Sequence, residues 1–472
     1  MINRRNFLIQ MATVSAGVVV GFSGLQRRAF ALAADASLAS MRAHGFGELF
    51  PTATQNTGEI YLALPKGFEY KLLSKVGSIM SDGNKTPALP DGMACFKVGE
   101  AFRLIRNHEI YNGEVPQPNS AIGANPYDET TAGGTTTLII NPKTLEVVKD
   151  FVSLSGTLVN CAGGRTPWGS WISCEETTLG QAERTDKTGK KIGTYPKPHG
   201  YCFEVQASAN APVPPIPLKA MGRFKHEAIA VDEYTGNIYL TEDAKTAGFY
   251  RFVPKRKQHL VEGGALQMLK IKGKAAVDLR KGLKTGQRCK TTWVTIDDPD
   301  PIAADLDESA VYKQGLAKGG ATFTRLEGAY ADKQGHIYFV STNGGEVEGG
   351  QVWRYTPKGK KSGVVTLIFE SLNRAVLDMP DNICLRPNSE LLFLCEDSDY
   401  KGTGGTPENY MRILAPNGKI ADFAKNITTG LESSEFAGSA FSEDGKILFV
   451  NLQAVGATFA IWGNWDSFRQ AE

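Results

Sequence analysis

Two stretches of this chain follow one plan. His226-Glu227-Ala228-Ile229-Ala230-Val231-Asp232 passes through Thr235-Gly236 into Ile238-Tyr239-Leu240-Thr241-Glu242-Asp243 and then Gly248-Phe249-Tyr250-Arg251-Phe252-Val253-Pro254. Leu326-Glu327-Gly328-Ala329-Tyr330-Ala331-Asp332 passes through Gln334-Gly335 into Ile337-Tyr338-Phe339-Val340-Ser341-Thr342-Asn343 and then Gln351-Val352-Trp353-Arg354-Tyr355-Thr356-Pro357. Short alternating or apolar runs cut by Gly, Asn, Asp and Pro read as strands and tight turns. Four more stretches share the layout. They begin at Asp91-Gly92-Met93, Asn160-Cys161-Ala162, Asp381-Asn382-Ile383 and Phe436-Ala437-Gly438, and beyond residue 60 hardly any segment has a helical period. Repeats of roughly 50 to 70 residues with about four strands each are the pattern of propeller blades. The expected fold is all-β, a six-bladed β-propeller. The irregular segment at about 255–318, basic at first and acidic near Asp297 to Asp307, reads as an insertion, either a flap over one face or solvated surface.

The balance of charge narrows the function. A formal net charge of +2 gives nucleic acid no electrostatic footing, and six His are few for a His-rich zinc centre. The seven Cys are scattered without a CxxC pair, so neither a disulfide framework nor a structural zinc site is expected.

At the N-terminus Arg4-Arg5 precedes Phe7-Leu8 and an apolar run from Ile9 to about Leu25, with a small-residue cleavage pattern at Ala31-Leu32-Ala33. This resembles a twin-arginine export signal over residues 1–33, the alternative being a plain signal anchor. Residues 34–472 then form a single propeller domain. No later stretch is apolar for long enough to span a bilayer, so a soluble, monomeric protein of the periplasm or medium, exported folded by the twin-arginine machinery, is expected.

In a propeller the innermost strand of each blade lines the axis and starts at the channel mouth. Here those starts carry Asp91, Cys161, Glu227, Glu327, Asp381 with Asn382, and Glu435. The next strand returns to the same mouth and ends on Asn107 to Glu109, Glu175 with Glu176, Glu242 with Asp243, Asn343, Glu396 with Asp397, and Asn451. Two carboxylates about 5 Å apart repel by roughly 3 kcal/mol at an effective dielectric near 20. Half a dozen together demand cations or large pKa changes. Asp, Glu and Asn oxygens suit calcium, whereas a thiolate beside Glu points to a softer transition ion, iron above all. Taken singly, each acid is an ordinary turn residue; only the coincidence across six units carries the reading.

Arg325 stands two residues before Glu327, on the same side of an extended strand. Its guanidinium offers forked donors to a phosphate or carboxylate, or else a salt bridge that holds Glu327. Lys225 and Arg223 flank Glu227 and are weaker candidates for the same job, while His108 and His226 each precede a Glu as possible supporting donors.

At these residues the chain resembles the PhoX family of secreted alkaline phosphatases. The matching segments are Asn107-His108-Glu109, Asn160-Cys161-Ala162-Gly163-Gly164 through Cys174-Glu175-Glu176, Gly222-Arg223-Phe224-Lys225-His226-Glu227-Ala228, Thr241-Glu242-Asp243, Arg325-Leu326-Glu327-Gly328, Asp381-Asn382-Ile383 through Cys395-Glu396-Asp397, and Asn451-Leu452-Gln453 through Gly456-Ala457-Thr458. The resemblance implies a six-bladed propeller whose channel mouth holds a pair of ferric ions and several calcium ions. It implies Cys161, Glu227, Glu327 and one of Glu175 or Glu176 as iron ligands. Glu109, Glu242, Asp243, Asp381, Asn382, Glu396 and Asp397 become calcium ligands or their close support, and Arg325 the phosphate-binding arginine. Arg325, Glu327 and Cys161 are then the catalytic set, Cys161 as a ligand rather than a nucleophile. The implied activity is hydrolysis of small-molecule phosphate monoesters at alkaline pH. The chain is compact for this family, which leaves less loop to shape a substrate pocket. Two competing readings are a calcium-dependent propeller lactonase or phosphodiesterase and a calcium-stiffened binding propeller; Cys161 and Arg325 have no purpose in a lactonase, and Cys161 none in a binding propeller.

Overall fold

Each unit begins with a strand that one bulge re-aims. In the computed structural model, which describes residues 41–111, 121, 123–185, 189, 191–401, 405 and 407–469, the first strands are Pro90–Val98, Asn160–Arg165, His226–Val231, Leu326–Ala331, Pro380–Leu385 and Phe436–Phe441. Each pairs antiparallel with the strand that follows it, respectively Ala101–His108, Ser170–Glu175, Ile238–Glu242, Ile337–Ser341, Leu392–Glu396 and Ile447–Leu452. All six pairings slip by one residue near the start of the first strand, for example between Pro90 and Met93 and between Leu326 and Ala329. A bulge of this kind leaves the ladder locally unpaired and turns a side chain out of the pleat.

The first strands lie side by side in a closed ring, the Phe436–Phe441 strand packing back against Pro90–Val98. The arrangement is all-β and propeller-like. Turn chemistry recurs with the strands: Asp232 accepts from Tyr234 N at 3.0 Å and Thr235 Oγ1 at 2.6 Å, and Asp332 accepts from Gln334 N at 2.9 Å and His336 N at 2.8 Å. In each turn the following Gly236 or Gly335 sits at φ +74° or +80°, which a side chain resists.

Six separate four-stranded blades are not what the hydrogen bonds draw. Among the described residues four sheets hold four strands or more: one of six strands, one of nine and two of four. The strand Arg288–Thr295 bonds Gly264–Ile271 on one side and Ser362–Glu370 on the other, joining two sequence units into the nine-stranded sheet. The unit of Asn160–Arg165 stops at three strands. Its next segment contains Pro212, Pro214, Pro215 and Pro217, which cannot donate to a ladder.

The segment 255–318 also departs from expectation. It is not a loop or flap but carries the strands Gly264–Ile271 and Arg288–Thr295 and the helix Ala310–Ala317. Thr291, Thr292 and Val294 give the second strand the β-branched residues that a pleated surface favours.

The ring closes without a covalent bond. The early strand Phe68–Lys75 completes the sheet of Phe436–Phe441, Ile447–Leu452 and Ala457–Gly463, with Leu72 opposite Phe459. The core is aromatic: Phe249 stacks on Phe339 at 4.2 Å between centroids, and Phe423 on Trp465 at 5.3 Å. Each such buried side chain stabilises the fold by about 1.5–3 kcal/mol. The proposed export signal at 1–33 lies outside the described residues, and no described helix is long and apolar enough to cross a membrane.

Candidate metal centre

The bulges carry the chemistry. The second residue of five first strands is Asp91, Cys161, Glu227, Glu327 or Asp381, each within the slipped step of the ladder and each buried. In four of these strands the preceding residue is left-handed: Leu89 at φ +48°, Val159 at +52°, Arg325 at +39° and Met379 at +46°. Backbone of this kind costs of order 1–3 kcal/mol per residue and persists only where the surroundings impose it. The sixth bulge holds Gly438, where a Cβ would stand 2.2 Å from the Asp91 carbonyl oxygen. A side chain there would push Asp91 off the axis.

The residue just after each second strand faces the same mouth. These are Glu109, Glu176, Asp243, Thr342, Asp397 and Gln453. Of these, Glu109 and Glu176 join the bulge residues in three overlapping groups, within each of which the candidate ligand atoms lie within 4.8 Å of one another: Asp91, Glu109 and Cys161; Cys161, Glu176 and Glu227; Glu227, Glu327 and Asp381. Gln453 Nε2 donates to Asp91 Oδ2 at 2.8 Å and to Glu109 Oε2 at 2.7 Å. Asn382 Nδ2 donates to Asp381 Oδ1 at 2.7 Å, and its own oxygen accepts from Gly438 N. Both carboxylate oxygens of Glu227 and Oδ1 of Asp91 are buried with no hydrogen-bond partner.

Alternation resolves the paired acids. Glu175, Glu242 and Glu396 end their strands and point away from the axis, while Glu176, Asp243 and Asp397 come next and point to it. Glu175 accepts from Leu158 N, His199 Nδ1, Gly200 N and Tyr201 N, so its oxygens are taken. Glu242 accepts from Gly248 N and Tyr250 Oη, each at 2.8 Å. Glu396 accepts from Asp378 N and from the buried Arg412 Nε, each at 2.9 Å. None of these three belongs to the groups above; they clasp the loops behind the site. Asp397 is exposed at the rim.

Two cations border the cluster. Arg325 Nε donates to Asp243 Oδ1 at 2.9 Å and Nη2 to Glu327 Oε1 at 2.8 Å, with the side chain 32% exposed. Lys225 Nζ lies 2.6 Å from Glu176 Oε1 and 3.9 Å from Asp243 Oδ2. Burial opposes charge on both groups, but the facing carboxylates outweigh it and hold them protonated. Arg223, by contrast, turns behind the site to the His199 carbonyl and the Asp305 carboxylate. His108 and His226 are buried: His108 Nε2 meets Thr136 Oγ1 at 2.9 Å, and His226 Nε2 meets the Gly222 carbonyl at 2.9 Å.

Burial and mutual repulsion push the acids up. Asp91 rises to about 7 and Glu176 to about 8, chiefly by burial. Glu109, Glu227, Glu327, Asp381 and Glu435 are raised well above the carboxylate range by burial and then by neighbouring acids, chiefly Asp91 for Glu109 and Asp381, Glu327 for Glu227, Asp243 for Glu327 and Asp397 for Glu435. Burial, then Asp91 and Glu227, also raise the Cys161 thiol. Without cations such groups keep their protons; cations make their ionised forms stable. The donor set, oxygen-rich with one sulfur, and the partnerless oxygens of Glu227 and Asp91 fit a mixed centre of hard and softer ions. Beyond the bulges the same first strands line an axial cavity of about 180 Å³.

The sequence placed Asp91 and Glu435 at the mouth without giving them a ligand role, and it missed the bridging Gln453. Its signal is positional, as the residue after the sixth second strand.

A comparison with curated proteins returns no match. Among solved structures, a gluconolactonase from Xanthomonas campestris is similar at 10% identity and a TM-score of 0.40, over 88% of this chain and 98% of that one. A protein of unknown function from Bacteroides thetaiotaomicron is similar at 11% identity and a TM-score of 0.41, over 87% and 78%. The PQQ domain of a pyranose dehydrogenase from Coprinopsis cinerea is similar at 9% identity and a TM-score of 0.32, over 88% and 100%. The family model described as alkaline phosphatase PhoX matches residues 46–456, which include all six bulges, and the chain belongs to that family.

Proposed function

We propose that the chain hydrolyses phosphate monoesters and releases inorganic phosphate at a centre of a ferric pair and several calcium ions in the axial mouth. One observation carries this reading: Asp91, Glu109, Cys161, Glu176, Glu227, Glu327 and Asp381 converge in overlapping groups with donor atoms within 4.8 Å, inside a member of a phosphatase family. Cys161, Glu176, Glu227 and Glu327 hold the iron pair, the sulfur marking the softer ion. Asp91, Glu109, Asp243, Asp381, Asn382 and Asp397 serve calcium. Glu175, Glu242 and Glu396 support the loops instead.

Bound cations neutralise the phosphoryl oxygens, activate an oxygen nucleophile and stabilise the leaving group. The chain's own part is placement. Arg325, a third exposed, presents its guanidinium to the incoming ester while Asp243 and Glu327 fix its plane. Lys225, a quarter exposed on the other side of Asp243, adds a second positive charge to draw a dianion in. Cys161 is buried and needs no covalent role.

The rest of the reading follows. Residues 1–33 act as a twin-arginine signal, residues 34–472 as one propeller domain, and the product is a monomer outside the cytoplasm. Its partners are small phosphoesters and the export machinery, not nucleic acid or membrane. Elemental analysis together with p-nitrophenyl phosphate hydrolysis, with and without a calcium chelator, tests it. Iron, calcium and chelator-sensitive hydrolysis are expected; calcium without iron, or no hydrolysis by iron-loaded protein, contradicts it.

A further inference from the structure

A second group of reactive side chains is buried behind the axis. Cys174 in Ser170–Glu175 and Cys202 in Cys202–Gln206 are direct register partners on antiparallel strands. The next pair, Glu175 with Tyr201, is bridged by Glu175 N donating to the Tyr201 carbonyl at 3.0 Å. Cys174 and Cys202 therefore occupy a non-hydrogen-bonded position, where opposed side chains come closest. Their Sγ atoms are 3.6 Å apart, with both side chains fully buried. His226 places Nδ1 3.5 Å from Cys202 Sγ, and its Nε2 lies 2.9 Å from the Gly222 carbonyl. That carbonyl keeps the ring proton on Nε2 and leaves Nδ1 as an acceptor for the thiol. Ile172, Leu218, Met221 and Phe224 close the surroundings.

We propose that Cys174 and Cys202 form a cross-strand disulfide, clamping the strand that delivers Glu176 to the axis onto its neighbour. Directly opposed positions on antiparallel strands have Cα atoms about 4.5–5.5 Å apart, within the range a disulfide spans. Side-chain rotation closes the remaining gap between the sulfurs. Sequence spacing gave no sign of the pair, since the two cysteines stand 28 residues apart and only the strand register brings them together.

The chemistry balances with a small-molecule disulfide as oxidant, here glutathione disulfide. One cysteine thiolate attacks a glutathione sulfur, forming a mixed disulfide and expelling one glutathione thiolate. The second cysteine sulfur attacks the protein sulfur of the mixed disulfide and expels the other glutathione. Two electrons pass to the oxidant, and the two cysteine protons end on the two released glutathiones. Exchange takes place while the strands are open, because the closed pair does not reach solvent. An exported chain meets such oxidants outside the cytoplasm; supplying one directly keeps the test independent of export and of metal loading.

The full-length chain is incubated with glutathione disulfide in mild denaturant, unfolded, and alkylated with iodoacetamide. Five added groups without reduction and seven after it are expected for a chain with seven cysteines. Unreduced trypsin digests should link the peptide 166–184 to the peptide 192–219. Cys202→Ser should take six groups either way, and reduction should lower the melting temperature of the wild type by a few degrees but not that of the variant. Seven groups without reduction, or a link through Cys161 instead, overturns the proposal. So does a zinc or copper ion that Cys202→Ser removes, since Cys174, Cys202 and His226 would then be a metal site.

Discussion

Arg325 bonds Glu327 at 2.8 Å, two residues along its own chain, from a left-handed backbone position at φ +39°. A fully extended pair could share a side of the strand, but the turn at Arg325 also swings the guanidinium to Asp243 on the neighbouring unit. Two carboxylates thus fix a partly exposed fork of donors at the rim of the cluster. The salt bridge and the substrate role are therefore compatible rather than alternatives.

Arg325→Ala is predicted to weaken inhibition by inorganic phosphate about tenfold or more, the scale of a lost charge-assisted fork, with smaller loss of metal. Arg325→Lys should recover only part of it, because a point charge cannot reproduce the fork. Phosphate titrations of the hydrolysis rate measure both. An unchanged inhibition constant in the alanine variant would remove Arg325 from the substrate site.

Glu396 and Asp397 are adjacent in sequence and predicted to differ sharply in effect. Glu396→Gln breaks a buried pair with Arg412, whose guanidinium also meets Asp422, and should cost about 3–5 kcal/mol of stability with metal content intact. Asp397→Asn, exposed at the rim, should leave stability nearly unchanged and lower calcium content. Chemical denaturation and elemental analysis of the two variants separate the roles. Equal destabilisation would mean that strand alternation does not sort these acids.

The sequence alone could not have made that distinction. It showed paired acids at strand ends, but their direction depends on where each strand stops, and strand ends are set by hydrogen bonds to the next strand. Cys161, Glu227 and Glu327 were legible because each follows a repeated strand start. The reason they converge, a bulge shared by all six units, was not. The nine-stranded sheet was likewise hidden: the charged run around Arg288 masked a β-branched strand. The prolines from Pro212 to Pro217 do mark the short third sheet, once their missing N–H groups are weighed.

His199 gives a pH dependence through a buried pair behind the axial groups. Burial disfavours its charge, but Glu175 at 2.6 Å and Asp128 at 3.6 Å outweigh that and raise it to about 9. Its folded value lies above the unfolded one near 6.5. Its contribution is therefore complete below about pH 6.5 and lost as pH rises through 9. A shift of this size corresponds to about 3 kcal/mol. Denaturation midpoints between pH 6 and 10 should fall in the wild type and fall less in His199→Gln; parallel profiles would refute the assignment.

The most direct measurement is iron content and phosphatase rate in Cys161→Ser and Glu327→Gln beside the wild type, each confirmed as folded by circular dichroism. Iron in the wild type, its loss from both variants and a fall of at least a hundredfold in p-nitrophenyl phosphate hydrolysis are predicted, on the scale of about 3 kcal/mol or more per lost ligand. Full iron and the wild-type rate in either variant would contradict the assembly of these donors into one catalytic metal centre.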